Sequence, residues 1–205
     1  QIISRSNIVG TTMLSITSTS AVVDNVWIRG TNNAGGTPDF NQSSAPTAVV
    51  GIRFNSGFGE GSIMNCRFSE CNYGLWIIGT NSINPRYNAG IFGDNTFTNC
   101  YAGIATGSTN EAEFVQIRNN TFIRCYRAFY NLSAANVLFT GNLIRESGGA
   151  GIYVAPATGS GQFRGHSWYM NNAVIHASGV NFQAAFNAHL VNNALEGAIT
   201  LASCT

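Results

Sequence analysis

Lysine is missing altogether: all ten basic side chains of this 205-residue chain are arginines. That absence removes every lyase scheme built on a lysine base. Charge of either sign is scarce, at 9% of residues against roughly 25% in an average soluble protein. The net charge is only +1 and the arginines are scattered, so no electrostatic footprint for nucleic acid is visible. No apolar run approaches the roughly 18 residues of a membrane span, so no membrane insertion is expected. The start, Gln-Ile-Ile-Ser-Arg, lacks the layout of a signal peptide and has no initiator Met. Neither end carries an amphipathic helix that would cover an open sheet edge. The expectation is therefore one domain, residues 1–205, cut from a longer chain. Cys66, Cys71, Cys100, Cys125 and Cys204 are odd in number and fit no metal-ligand spacing. His166, His176 and His189 are too widely separated to propose a metal site, and nothing calls for a cofactor.

Asn, Ser, Thr and Gly take the place of charge, and they recur in a pattern. VVDNVWIRG from Val22, IMNCRFSEC from Ile63, FGDNTFTNC from Phe92 and IRNNTFIRC from Ile117 share one layout. FTGNLIRES from Phe139, YMNNAVIHAS from Tyr169 and LVNNALEGA from Leu190 complete seven copies. An apolar residue precedes Asn25, Asn95, Asn120, Asn142, Asn172 and Asn193, with Cys66 substituting once. The second apolar column reads Trp27, Phe68, Phe97, Phe122, Ile144, Val174 and Leu195. Small residues follow at Gly30, Cys71, Cys100, Cys125, Ser147, Ala177 and Ala198, and the cysteines among them read as buried thiols. Nothing keeps a 3.6-residue period, so helical repeats are excluded.

Such a repeat predicts an all-β stack of about seven parallel coils with variable loops, because one coil cannot bury its own apolar residues. Stacking places like on like at about 4.8 Å. Asn tolerates the left-handed backbone of a tight corner, and stacked amides bond to one another. Asp24 and Asp94 accordingly read as turn formers rather than acids.

The pattern resembles the pectate-lyase-like superfamily over nearly the whole chain, and Met13 to Gly30 is similar to the opening coils of bacteriophage tailspikes and polysaccharide depolymerases. The resemblance implies a single-stranded right-handed parallel β-helix with three sheets per coil and a corner Asn ladder. It also implies a homotrimer, a bacterial polysaccharide as ligand, and a place on a virion tail or, alternatively, a secreted or cell-surface one. Members include lyases, hydrolases, epimerases and non-catalytic spikes, so the fold alone leaves the activity open.

After each small-residue column comes a further strand in which Ile52, Leu75, Ile104, Phe129, Ile152 and Ile199 are expected to point inward. The next residues then point outward: Arg53, Trp76, Ala105, Tyr130, Tyr153, Asn181 and Thr200. Exposed aromatics in a row mark a contact surface. Their faces suit sugar rings, and Arg53, Asn181 and the tyrosine hydroxyls suit sugar hydroxyls. A subunit interface is the competing reading. The longest insertions, Thr31 to Pro46, Thr80 to Asn88, Gly107 to Ala112 and Ala155 to Arg164, flank this sheet. A second outward column, Ile91, Gln116, Leu138, Trp168 and His189, is the candidate trimer contact, unless a shift of register places it in the core.

Glycoside hydrolysis would need two carboxylates, about 5–5.5 Å apart for retention or 6.5–9.5 Å for inversion. None of the nine acids falls in the aromatic column. The candidates are Glu111 and Glu113, bordering the stripe, and Glu70 and Glu146, in equivalent places about 14 Å apart by strand spacing. A neighbouring chain could complete a pair. Arg164 and His166 form only part of a polygalacturonase-like Gly-His-Gly motif, with Ser167 in place of the second Gly and no Asp-Asp pair. The glycosylation patterns at Asn41, Asn119 and Asn131 are expected by chance in so Asn-rich a chain.

Overall fold

The computed structural model describes residues 3–6, 12–17, 21–30, 49–56, 61–79, 90–107, 112–132, 134–154, 167–175, 179–183 and 188–202. Among them there are strands and turns but no helix. The chain visits three long sheets in rotation, with a two-stranded sheet of Ala112–Glu113 and Ala134–Ala135 inserted in two coils. A seven-stranded sheet, from Val22–Asp24 to Ala188–Val191, lies before the Asn corner. An eight-stranded sheet, from Ile3–Ser6 to Ala194–Leu195, lies after it. A second eight-stranded sheet, from Thr12–Ile16 to Ile199–Ala202, carries the aromatic column. Every recorded pairing is parallel and joins a strand to its counterpart one coil away, as in Phe68↔Phe97 and Phe97↔Phe122. The result is a parallel β-helix of seven complete coils preceded by a partial one, with three faces around one apolar interior.

Alternation sends one residue of each short strand inward, and register then stacks those residues. Phe68, Phe97 and Phe122 lie nearly parallel, with ring centroids 4.8 Å and 4.9 Å apart. Each is fully buried, a burial that contributes on the order of 1.5–3 kcal/mol per ring. Gly74 makes room for this column. A Cβ there would stand 2.6 Å from Phe97 and 2.8 Å from the Gly103 carbonyl. Ile199 lies in the last coil, with no further coil described above it, and is 52% exposed rather than core.

The Asn corner closes the coils. Asn95, Asn120, Asn142 and Asn172 are buried, and each gives both its backbone N–H and its Nδ2 to the Oδ1 of the next Asn, at 2.9–3.1 Å. Nδ2 also donates back to the coil below: Asn95 to Ile63 O, Asn120 to Phe92 O, Asn142 to Ile117 O, Asn172 to Phe139 O and Asn193 to Tyr169 O. At the other end the Cys66 N–H still reaches Asn95 Oδ1, at 2.9 Å, but a thiol cannot replace the amide.

Two expectations are corrected here. The left-handed residues are not the ladder asparagines but those just before them: Asn65, Asp94, Asn119, Gly141, Asn171 and Asn192. The turn falls on the exposed residue, which leaves the following Asn free to point inward. Asn25 belongs to that left-handed column and not to the ladder, because Val23 pairs with Ile63 and Ile28 with Phe68. The first copy is therefore slipped by one position. Val26 occupies the ladder site, Ile28 replaces Trp27 in the core, and Trp27 is 40% exposed. Gly30 likewise falls level with Glu70, one place short of the cysteine column.

Cys66, Cys71, Cys100 and Cys125 are buried free thiols, while Cys204 lies outside the described residues. Asn131 is buried and bonded to the Ala134 backbone in both directions, a poor position for a glycan acceptor.

A mid-ladder deletion should cost more than a terminal one. Asn120→Ala removes the acceptor for two buried Asn95 donors and should lower unfolding free energy by about 4 kcal/mol, from roughly 1–3 per orphaned group. Asn193→Ala, at the half-buried end, should cost about 1–2 kcal/mol by the same reasoning. Equal urea midpoints for the two variants would contradict the ladder's role.

Candidate functional site

The aromatic sheet comprises Thr12–Ile16, Val50–Ser56, Tyr73–Gly79, Ala102–Thr106, Arg127–Asn131, Ile152–Val154, Val180–Gln183 and Ile199–Ala202. Its register aligns Ser15, Arg53, Trp76, Ala105, Tyr130, Tyr153, Asn181 and Thr200 in one column. Ile52, Leu75, Ile104, Phe129 and Ile152 on the alternate positions are fully buried, so the column lies on the opposite, outer face.

The column is only part of a larger surface. Tyr73, Tyr101 and Tyr126 follow the cysteine corner and lay their rings beside it. Tyr101 stacks on Tyr126 at 5.4 Å and meets Tyr73 and Tyr130 edge-on at 6.1 Å and 6.5 Å. Tyr73 lies 5.6 Å from Trp76, and Tyr130 lies 5.4 Å from Tyr153. Ala102 and Ala105 are buried beneath this second apolar cluster, which is separate from the coil interior. Gly149 allows the next coil to close on Tyr126, since a Cβ there would stand 2.8 Å from the ring.

Two guanidinium groups sit among the rings. Arg53 lies over Trp76 at 5.3 Å. Arg127 lies 4.0 Å from the Tyr153 centroid, 4.2 Å from Tyr130 and 5.4 Å from Tyr126. Its Nε is buried with no hydrogen-bond partner, as is the Oδ1 of Asn181. Tyr73, Tyr101, Tyr126 and Arg127 were absent from the outward column read from sequence. The signal for the tyrosines is present: Cys71-Asn-Tyr73, Cys100-Tyr101 and Cys125-Tyr126 each put a Tyr just past the cysteine corner.

Tyr73 and Tyr101 hold their protons and serve as hydrogen-bonding platforms rather than bases. Burial, followed by the neighbouring Tyr101 and Tyr130 hydroxyls, pushes the Tyr73 phenol up to about 12, although Arg127 opposes the shift. Burial also raises Tyr101, again against Arg127.

Of the candidate acids, Glu70 and Glu146 lie off this face, at the corners before it. Glu70 accepts two hydrogen bonds from Arg29, at 2.7 Å and 3.0 Å, and takes a left-handed conformation at the corner before the aromatic sheet. Glu146 takes the same conformation and is exposed. Asn99 and Arg124 occupy the intervening left-handed corners. The two acids are therefore three coils apart, about 14 Å by strand spacing, and cannot act as one pair within a chain. Glu111 lies outside the described residues. Glu113 lies in the two-residue strand Ala112–Glu113, beside Ala134–Ala135, and its side chain is not described. Arg164, His166 and His176, and most of the flanking insertions, also lie outside them.

On the other faces, Val22, Ser62, Ile91, Gln116, Leu138, Trp168 and His189 align as the outer column of the sheet before the Asn corner. The register places Ile63, Phe92, Ile117, Phe139 and Tyr169 in the core instead. Val22 is 72% and Trp168 41% exposed, and Trp168 stacks on His189 at 4.2 Å. A polar groove of about 560 Å³ runs beside the Asn corner of the early coils, lined by Asn25, Trp27, Asn65, Arg67, Asp94 and Thr96 among others.

Among known proteins, the family model described as a right-handed beta helix region matches residues 48–203. No curated protein and no solved structure matches the chain.

The raised tyrosines give the fold an alkaline limit. Tyr73 holds its proton more tightly folded than unfolded, so its contribution to stability is complete below pH 10 and is lost as pH rises towards about 12. Tyr73→Phe should flatten the fall in urea midpoint across that interval, and an unchanged slope would show that the phenol does not titrate with unfolding.

Proposed function

The chain belongs to the right-handed β-helix family, and from that premise we propose that it is a tailspike-type segment whose aromatic sheet binds a bacterial surface polysaccharide. One observation carries the reading. Trp76, Tyr130 and Tyr153 stand in one register-locked outward column with Arg53 and Asn181, on a sheet whose core is complete without them. Tyr130 and Tyr153 lie one coil apart and Trp76 two coils from Tyr130, all fixed by the strands, so little side-chain freedom is lost when a sugar chain lies along them. Tyrosine hydroxyls can both donate to and accept from sugar hydroxyls.

The reading is one of binding first. Among the described residues no carboxylate stands in the aromatic column, and Glu70 is committed to Arg29. Cleavage would draw on Glu111 or Glu113 beside the stripe, or on an acid from a neighbouring chain. Trimer formation would use the column of Val22, Ile91, Leu138 and Trp168, whose apolar members lie on a different face and leave the aromatic sheet open. Placement on a virion tail, or on a secreted or cell-surface spike, follows from the same reading.

Trp76→Ala and Tyr153→Ala should each weaken binding to capsular or O-antigen polysaccharide about 5- to 150-fold in calorimetry, from roughly 1–3 kcal/mol per lost stacking contact, with unchanged far-ultraviolet spectra. Wild-type affinity in both variants would refute the site. A competing reading, a non-catalytic spike with the stripe as subunit interface, predicts dissociation of the assembly in analytical ultracentrifugation instead. A reducing-end assay on the bound polysaccharide separates a depolymerase from a binder.

A further inference from the structure

We infer that Cys66 sets the register of the first repeat copy, and through it decides whether Trp27 faces solvent or the core. The inference is independent of what the aromatic face binds. The string from Val22 to Gly30 fits two registers one residue apart, and such a shift exchanges the inward and outward faces of a strand. In one of them Asp24 would take the left-handed place that Asp94 holds, Asn25 the ladder site, Trp27 the level of Phe68 and Gly30 that of Cys71. The fold adopts the other. Val26 takes the ladder site, its carbonyl receiving the Arg67 N–H as the Cys66 carbonyl receives that of Thr96. Ile28 pairs with Phe68 and is buried, while Trp27 pairs with Arg67 and is 40% exposed. Four matches to the repeat are given up.

The ladder supplies the reason. An Asn in it gives its backbone N–H and its Nδ2 to the Oδ1 of the Asn one coil further on, as Asn95 does to Asn120 and Asn120 to Asn142. Asn25 at the ladder site would have to give both to residue 66, the one level from there to Asn193 that carries no amide. A thiol sulfur is a weak acceptor, so the Asn25 donors would be buried unmet. Val26 has no side-chain donor to leave unmet, and Asn25 turns outward in the left-handed column. Two contacts then fasten this register: Glu70 takes two hydrogen bonds from Arg29, and Asn65 Nδ2 donates to Asp24 Oδ1 at 2.8 Å. Level 66 is nevertheless shaped for an amide. The Cys66 N–H donates to Asn95 Oδ1, and Sγ lies 3.9 Å from Val23 O, the counterpart of the Ile63 O that Asn95 Nδ2 reaches. The 41 residues from Asp24 to Asn65, against 21 from Asn171 to Asn192, leave a connection long enough to take up one residue. The choice changes a surface. Asn25 and Trp27 line the polar groove beside the corner, and in the alternative register Asp24 and Val26 would stand at their levels. One buried side chain thus shows or hides an indole one coil away.

The test leaves Trp27 as the sole tryptophan, in a Trp76→Phe, Trp168→Phe background, and reads its emission maximum and its quenching by acrylamide. With Cys66 present the indole should emit at long wavelength and be quenched. Cys66→Asn supplies the acceptor that Asn25 lacks, and should shift the emission to the blue and remove most of the quenching. Cys66→Ala, which takes away the thiol and adds no acceptor, should leave both unchanged. Cys66→Asn with Val26→Asn gives the existing register an amide of its own, and should return the indole to solvent. Urea midpoints report the same exchange independently. Ile28→Ala should lower the midpoint more than Trp27→Ala does, and in the Cys66→Asn background the order should reverse. Glu70→Gln, which takes the charge from the bidentate pair, should leave Trp27 exposed; its burial there would assign the register to the ion pair and overturn the inference. So would an exposed Trp27 in Cys66→Asn, or folding of that variant only when Val26→Asn accompanies it. Failure of both to fold would show that this level cannot hold an amide, which also overturns it.

Discussion

One side-chain amide, repeated at the same corner of successive coils, holds the rest in place. A parallel coil must turn sharply between two sheets, and a turn buried against its neighbours leaves backbone donors and acceptors that water cannot reach. Asn95, Asn120, Asn142 and Asn172 solve this with one geometry. The Oδ1 of Asn120, Asn142 and Asn172 each takes two donors from the preceding Asn, that of Asn95 takes the Cys66 N–H, and each Nδ2 bridges to the next amide and to a carbonyl of the coil below. Slipping any coil by one residue would break these bonds and put the wrong face of each strand inside. The ladder is thus a register device as well as a satisfied polar network.

Register is what connects that corner to the opposite face. Because Phe97 sits on Phe68 and Phe122 on Phe97, the residues after the cysteine corner also arrive one above another. Tyr130 therefore meets Tyr153, and Tyr101 meets Tyr126, at close to the coil spacing. No loop has to be ordered to assemble the patch. The same scaffold explains why Glu70 and Glu146 do not pair. Glu70 and Glu146 are bound to one column by the repeat, and a column can bring two of its members no nearer than the number of coils between them.

Most of this was legible because a stacked fold writes its contacts as recurrences. The aromatic column, the core columns and the ladder from Asn95 to Asn193 all follow from aligning the copies. What the alignment missed has local causes. In the first copy both Asp24 and Asn25 suit a turn, and Val26 is as apolar as a core residue, so the string VVDNVWIRG fits two registers one position apart. Backbone pairing of Val23 with Ile63 decides between them, and no composition rule could. The left-handed residue was misplaced because paired Asn-Asn corners offer two equally suitable candidates, and only burial tells the one that turns from the one that bonds. Arg127 was overlooked because alternation was counted from the inward Phe129, whereas Ala128 and Phe129 are both buried, so the alternation breaks there and Arg127 comes to lie beside the tyrosine rings.

The position of Arg127 also bears on what the outer face is for. Were the tyrosines only covering the sheet, apolar rings packed on Ala102 and Ala105 would suffice, with no need of hydroxyls or a guanidinium among them. The patch instead keeps the hydroxyls of Tyr73 and Tyr101 protonated and a cation against the rings of Tyr130 and Tyr153. Stacking surface, hydroxyls and a guanidinium gathered on one rigid face exceed what covering the sheet requires, and that excess is the mark of a contact surface.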